Sequence, residues 1–450
     1  MDMKIFKGLP WLAAMLTCGS MAMGQSTDAS EKMMQAFYRK IDLVGRGGDA
    51  SADMTVCLSF PGIVLKPLDR KNQEDIKYVN QLLDVANDPN VVWKPSLKYI
   101  SKIYGMILDH KIVPDPAPLD AATTAKLNEA LDKTDPDNAG YQAYRKALSD
   151  FNQASAALDV EKYDNNAAGK GLTASSGTTD AFNEARRVLE RRKATINGYF
   201  NTITQIFNNN PGAWWTETSD AFKSQVLSGS YVVATFPKMD AWTDDTGWLK
   251  LNFKNSEQKT TSSSSEKVLK VSGDLHVSVV TVSGYGGWEK KMSDSLATDN
   301  DLEISMEVKR VYIQRPWLEW QVFTDPTWGW DDTRKGTVIS NGHSLGDGSG
   351  QAPAGELPLL CDSFLIVRNV TFTSKFFKDY KNSMVETIKA GGSISVAGVN
   401  GGSLRGSYSQ TNANSTLLKS LDSGSLTIPD AQIIAYVCKP VPKSPAKNVK

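Results

Sequence analysis

Histidine and cysteine are scarce in this chain. It has three histidines and four cysteines in 450 residues. No C-x-x-C pair occurs, and His110, His276 and His343 stand far apart. Structural zinc draws on closely spaced ligand pairs, so no metal site and no cofactor is expected. Net charge is lacking too, with Lys and Arg numbering 50 and Asp and Glu 50. A balanced surface gives no bulk attraction to a polyanion, so no nucleic-acid partner is expected. Long apolar runs are absent as well. No stretch after the N-terminal segment reaches the roughly 18 residues of a spanning helix, so no transmembrane helix is expected.

The N-terminus has the pattern of a targeting segment. Lys4 and Lys7 open it, an apolar stretch runs from Leu9 to Leu16, and Ala22-Met23-Gly24 supplies small residues at a cleavage site. The reading is a signal peptide over 1–24, cleaved before Gln25. The protein would then be exported, to a periplasmic or extracellular location. A lipid anchor at Cys18 is the competing reading, for which Leu16 and Thr17 are poor neighbours. Removing Lys4, Lys7 and Asp2 leaves the charge within one unit of neutral. Cys57, Cys361 and Cys438 then remain, an odd count that permits either three buried thiols or one disulfide with a thiol left over.

Hydrophobic residues at 40% and charged residues at 22% describe a globular chain, and its patterns change along its length. After an N-terminal segment at 25–64, with a helix from Ser30 to Ile41 and extended chain at 53–66, helical periodicity dominates 65–210. One helix is expected over 69–87 and another from Pro95 to Leu108, with Pro95 in its first turn. Heptad seams then run through 138–163 (Tyr141, Tyr144, Leu148, Phe151, Ser155, Leu158) and 179–208 (Phe182, Ala185, Leu189, Arg192, Ile196, Tyr199, Ile203, Ile206). A Gly/Ser/Thr loop joins them, so they should fold back as an antiparallel hairpin over 138–208. Arg192 is the charged residue in that seam. Facing positions place Asp150 opposite, and a paired guanidinium would fix the register, with snorkelling to solvent as the alternative. The basic run at 184–193 reads as a solvated helix face.

Beyond 228 the chain turns rich in Ser, Thr, Gly, Val and Trp. Short alternating runs such as "LEISMEVKRVYI", "FLIVRNVTF" and "AQIIAYV" read as strands. A β-rich domain is expected at 228–440, with a helix at 374–390 and a flexible tail at 441–450. The fold class is therefore α+β: a helical region with a long antiparallel hairpin, followed by a mainly antiparallel β-rich domain. Two strands interrupt their own alternation, at Lys309-Arg310 and at Arg368-Asn369, which predicts a β-bulge in each.

The motif "GHSLG" at 342–346 fits a hydrolase nucleophile elbow around Ser344. Its context argues against that chemistry. The residues that follow are too rich in Gly and Pro to start a helix, and no His occurs after His343. No catalytic residue is therefore assigned, and the chain leans away from being an enzyme. More informative is "RPWLEWQVFTDPTWGWDD", which holds Trp317, Trp320, Trp328 and Trp330 beside Asp331 and Asp332. Exposed Trp with acids suits stacking on a sugar or a protein partner, whereas buried Trp would close one end of the β domain. A binding surface should leave at least two of the four exposed, and burial of all four would remove its main support. Segments 266–284 and 391–411 are partly alternating and longer than the roughly ten residues that cross a bilayer as a strand. Gly398, Gly401 and Gly402 break the apolar face of the second, however, and ordinary sheet edges share the pattern. The leading expectation is a secreted protein that binds an unknown protein, glycan or membrane partner. A membrane-active effector comes second and a hydrolase with a non-standard site third.

Overall fold

The structure is a computed structural model. It describes residues 28–47, 54–88, 93, 95–227, 233–254, 280–283, 295, 299–344, 351–389, 393–396, 399–400 and 421–445. Residues 1–24, with Cys18, and 446–450 of the expected flexible tail lie outside these residues; 441–445 are described, and there Val441 and Ser444 are buried rather than free.

Helix α1 (Asp28–Arg46) buries Phe37, Ile41 and Val44, one face at spacings of four and three. It lies on strand β1 (Thr55–Val64), where the Tyr38 hydroxyl donates to the Val56 carbonyl at 2.9 Å. Helix α2 (Gln73–Leu83) begins at Asn72, whose side chain accepts the Glu74 N–H. It ends earlier than its periodicity predicts. The residues after it form β2 (Val85–Asn87), which pairs with β3 (Pro95–Tyr99). Pro95 therefore opens a strand, where its missing N–H costs little, and the next helix, α3 (Ile100–His110), starts five residues later. Buried Asp84 sits between these elements. Ser101 donates its N–H (2.9 Å) and hydroxyl (2.6 Å) to the Asp84 carboxylate, so the residue that ends one helix steadies the start of another.

After β4 (Lys111–Ile112) comes α4 (Ala121–Thr134), capped by Asp120. The hairpin follows: α5 (Ala139–Ala167) and α6 (Ser176–Asn209), the latter about 50 Å long at 1.5 Å per residue. The two run antiparallel. Tyr141 meets Phe200 and Phe151 meets Phe182, with ring centroids 6.4 and 5.5 Å apart. At the turn, Glu161 accepts the Ser175 N–H at 2.9 Å. Arg192 does not join this seam. Leu189 and Ile196 are its buried positions on α6, while Arg192 is exposed and Asp150 pairs with Lys146 on its own helix at 2.6 Å. A guanidinium on a long stem reaches water from the flank of a seam, which avoids desolvation. The basic run is also exposed, and Arg187 pairs with Glu184 at 2.5 Å. Helix α7 (Pro211–Phe222), with Pro at its first position, follows directly.

Strands β5 (Ala234–Phe236), β6 (Leu249–Lys254), β7 (Val280–Ser283) and β8 (Glu303–Gln314) come next, then the short helix α8 (Gln321–Thr324) and β9 (Gly329–Trp330). The long β10 (Leu359–Thr373), helices α9 (Lys375–Asp379) and α10 (Lys381–Lys389), and strands β11 (Ser393–Val396), β12 (Val399–Asn400), β13 (Ser425–Ile428) and β14 (Gln432–Pro440) complete the described elements. The main sheet is antiparallel in the order β1-β14-β10-β8-β5, with β13 on β10 and β6 on β8. Small sheets β2-β3, β4-β9 and β12-β11-β7 stand beside it.

Strand β8 corrects one expectation and explains it. Its register with β10 runs unbroken from Glu307 to Tyr312, so Lys309-Arg310 is not a bulge on that side. The alternation changes because the buried face changes. Ile304, Met306 and Val308 enter a core with α1, while Val311 and Ile313 enter a second core on the opposite face with Val79 and Leu83 of α2. The other expected bulge exists. Register on β10 slips between Arg368 and Thr371, and Asn369 takes φ +52, a left-handed conformation Asn adopts more readily than most residues.

A third core contains Ile103, Tyr104 and Ile107 of α3 and Trp214 and Trp215 of α7, together with Trp317, Phe323 and Trp328. Residues from the helical region and from the β-rich region thus share one apolar interior.

Candidate functional site

The four-Trp segment lies mostly in that third core. Trp317, Trp328 and Trp330 are buried, and Trp320, at 36% exposure, is the one that reaches solvent. The expectation of two or more exposed Trp therefore fails for 317, 328 and 330. Each indole is used by the fold. Trp328 Nε1 donates to the Val322 carbonyl at 2.9 Å and Trp330 Nε1 to the Thr337 carbonyl at 2.7 Å. Trp317 packs edge-on against Tyr104 and Phe222, centroids 5.6 and 5.7 Å away.

Trp320 forms one wall of a groove of about 600 Å³. The end of α6, the start of α7 and the turn after α8 supply the rest. Thr204, Asn208, Gln321, Thr324 and Thr327 line it with hydroxyls and amides, and Pro211 and Pro326 add rigid apolar edges. Phe323 packs edge-on to Trp320 at 5.7 Å and holds the indole in place. Beneath, Asp325 accepts Trp215 Nε1 at 2.9 Å and the Thr327 N–H at 2.7 Å, so its carboxylate braces the groove floor. Sequence reasoning reached Trp320 from the density of Trp around it. It missed Thr204, Asn208 and Pro211, which sit more than a hundred positions away and carry no local signal.

Asp331 has a different neighbour. His110 Nδ1 lies 2.9 Å from Asp331 Oδ2, and Thr333 donates its hydroxyl (2.6 Å) and N–H (3.0 Å) to Oδ1. The Thr333 hydroxyl, and after it His110, hold the Asp331 carboxyl below the ordinary range. Asp331 N–H also donates to the His110 carbonyl at 2.9 Å, next to the β4-β9 pair. A carboxylate that orients an imidazole is a familiar catalytic element. Among the described residues, no serine or cysteine is hydrogen-bonded to His110. Asp332 is exposed and forms no ion pair among the described residues.

Ser344 ends a described stretch and is buried. The glycine before its His is explained by packing. Gly342 has φ +82, and a Cβ there would lie 2.8 Å from the Lys443 backbone nitrogen. The neighbouring chain, with Ile339 N–H on the Ser444 carbonyl at 2.9 Å, is pinned to residues 441–444.

The three described cysteines are free and buried. Cys361 lies directly across from Cys438 on β10 and β14, and both share a buried cluster with Cys57. Burial pushes the Cys361 thiol well above its ordinary value. No group of three His, Cys, Asp or Glu among the described residues is arranged to hold a metal ion. Comparison with protein families, with curated proteins and with solved structures finds no match. No helix among the described residues is long and apolar enough to cross a membrane. Most of 266–284 and 391–411 lies outside the described residues. Their described parts are β7, β11 and β12, of which β7 and β11 pair antiparallel from Ser283↔Ser393 to Val280↔Val396.

Proposed function

We propose that this chain is an exported protein that acts by binding, with the groove beside Trp320 as its site and a glycan as its ligand class. One observation carries the binding half. Of four clustered Trp, the fold buries three and leaves Trp320 on the wall of a groove rimmed by hydroxyl and amide side chains. An indole face stacks on the C–H face of a sugar ring, while neutral donors and acceptors pair with its hydroxyls. The groove volume is in the range of small-ligand sites. The export half is supported by Lys4, Lys7, the Leu9–Leu16 stretch and Ala22-Met23-Gly24.

The test is a glycan panel read by Trp fluorescence, followed by titration of the best ligand. Trp320→Ala should weaken binding tenfold or more, about 1.4 kcal/mol. Trp320→Phe, which keeps a stacking face, should lose less. Ligand binding undiminished in Trp320→Ala would refute the site. Release of dye from liposomes, with no glycan bound, would overturn the reading in favour of membrane activity.

A further inference from the structure

Helix α5 crosses the sheet beside β8, and a cleft of about 390 Å³ remains between them. Its floor is apolar, formed by Val44, Ala156 and Leu249. Its polar wall includes Asn152, Arg310 and Tyr312.

The cations in and around this cleft differ in one respect. Lys309 is bonded to Asp244, Arg368 meets Glu307 at 2.7 Å and Asp245 at 2.9 Å, and Lys146 meets Asp150 at 2.6 Å. Arg310 has no such carboxylate among the described residues. Its Nε donates to the Ser363 hydroxyl at 2.9 Å, and its guanidinium carbon lies 4.7 Å from the centroid of the Tyr312 ring. Arg145 of α5 approaches the same ring at 5.4 Å, also without a carboxylate, and its buried Nε has no hydrogen-bond partner. Two guanidiniums thus approach one aromatic ring, neither of them ion-paired among the described residues, and the acid that lines the cleft, Asp150, is held by Lys146. A partly buried guanidinium without an ion-pair partner favours an incoming anion.

The rest of the wall fits that anion. Asn152 Nδ2 donates to the Tyr312 hydroxyl oxygen at 2.6 Å, which leaves the Tyr312 O–H proton to donate outward. Gly47, at φ +43, borders the guanidinium. A Cβ there would stand 3.3 Å from Arg310 Nη1 and 3.1 Å from the Asn152 carbonyl. Its lack of a side chain keeps that edge of Arg310 clear.

We infer that the cleft between α5 and β8 binds a small amphiphilic oxyanion, its head group on Arg310 and the Tyr312 hydroxyl and its short apolar body on the Val44, Ala156 and Leu249 floor. The head group is a carboxylate or a phosphate monoester, both of which match the guanidinium fork.

The probes are hexanoate, hexyl phosphate and the neutral hexanol, titrated into the full chain by calorimetry with saturation-transfer NMR as a second readout. At least one anion should bind tenfold or more tightly than hexanol, and which one does so identifies the head group. Arg310→Gln should lose at least tenfold in anion affinity and Tyr312→Phe a few-fold, while Trp320→Ala should leave it unchanged. That last arm keeps this site separate from the groove beside Trp320. If Arg310→Gln does not fold, Tyr312→Phe, which keeps the ring under both guanidiniums, carries the comparison. Hexanol binding as tightly as both anions, no binding of either anion, or full anion affinity in the variants that fold would overturn the inference.

Discussion

Single residues decide what the aromatic segment does. Trp320 is open to a ligand because Trp317, Trp328 and Trp330 are committed to the core, each by packing or a hydrogen bond. The local density of Trp was legible in the sequence. Its burial was not, because the partners Tyr104, Trp215 and Phe222 come from elements more than ninety residues upstream. Asp325 is the hinge of that arrangement. Asp325→Ala would strand the buried Trp215 N–H and free the Thr327 backbone, and should lower stability by about 1–3 kcal/mol in denaturant unfolding. Asp331 was singled out as a ligand contact, yet it meets His110 and Thr333. Its carboxyl is held below the ordinary range. A depressed folded value means that its stabilising contribution is present above the unfolded value, near 4 for a free carboxyl, and is lost as pH falls through the folded value. Thermal unfolding of wild type and Asp331→Asn across pH should show a gap near neutrality that narrows below about pH 4. A gap independent of pH would show that the carboxylate charge plays no part.

At the scale of elements, local periodicity was a reliable guide and pairing was hidden. The α5-α6 hairpin was legible because its seams repeat within each helix and a polar loop joins them. Arg192 was misplaced within it, because a seven-residue pattern names the stripe of a helix and leaves its edges open. The two positions can be separated by experiment. Ile196→Ala, which opens the buried seam, should cost about 2–5 kcal/mol. Arg192→Ala, at an exposed site, should stay within about 0.5 kcal/mol. A large loss for Arg192→Ala would restore it to the interface. The hairpin β2-β3 escaped notice because its strands are three and five residues long, too short for an alternation to register. Strand β8 teaches a related point. A break in alternation is produced by a bulge, as at Asn369, and equally by a strand whose cover moves from one face to the other, as at Lys309-Arg310.

For the whole molecule, the class α+β was legible and the order of its sheet was not, since strand neighbours are chosen by contacts between distant segments. The thiols report on that order. Cys57, Cys361 and Cys438 come from β1, β10 and β14 and lie in one buried cluster, so a reagent reaches them when those strands part. The folded protein should resist a thiol-reactive dye, and three equivalents should react in denaturant once the 1–24 segment with Cys18 is gone. Rapid labelling without denaturant would mean that the sheet opens locally. The same placement has a consequence in time. Strand β14 lies between β1 and β10, so Thr55 waits for Cys438 before its ladder can form. A ribosome delivers β1 early and β14 late, and through that interval the Val56 and Leu58 positions have no strand to zip onto. Closure of so long a loop is slow. The sheet is finished after its chain is nearly all made, and until then the chain remains threadable.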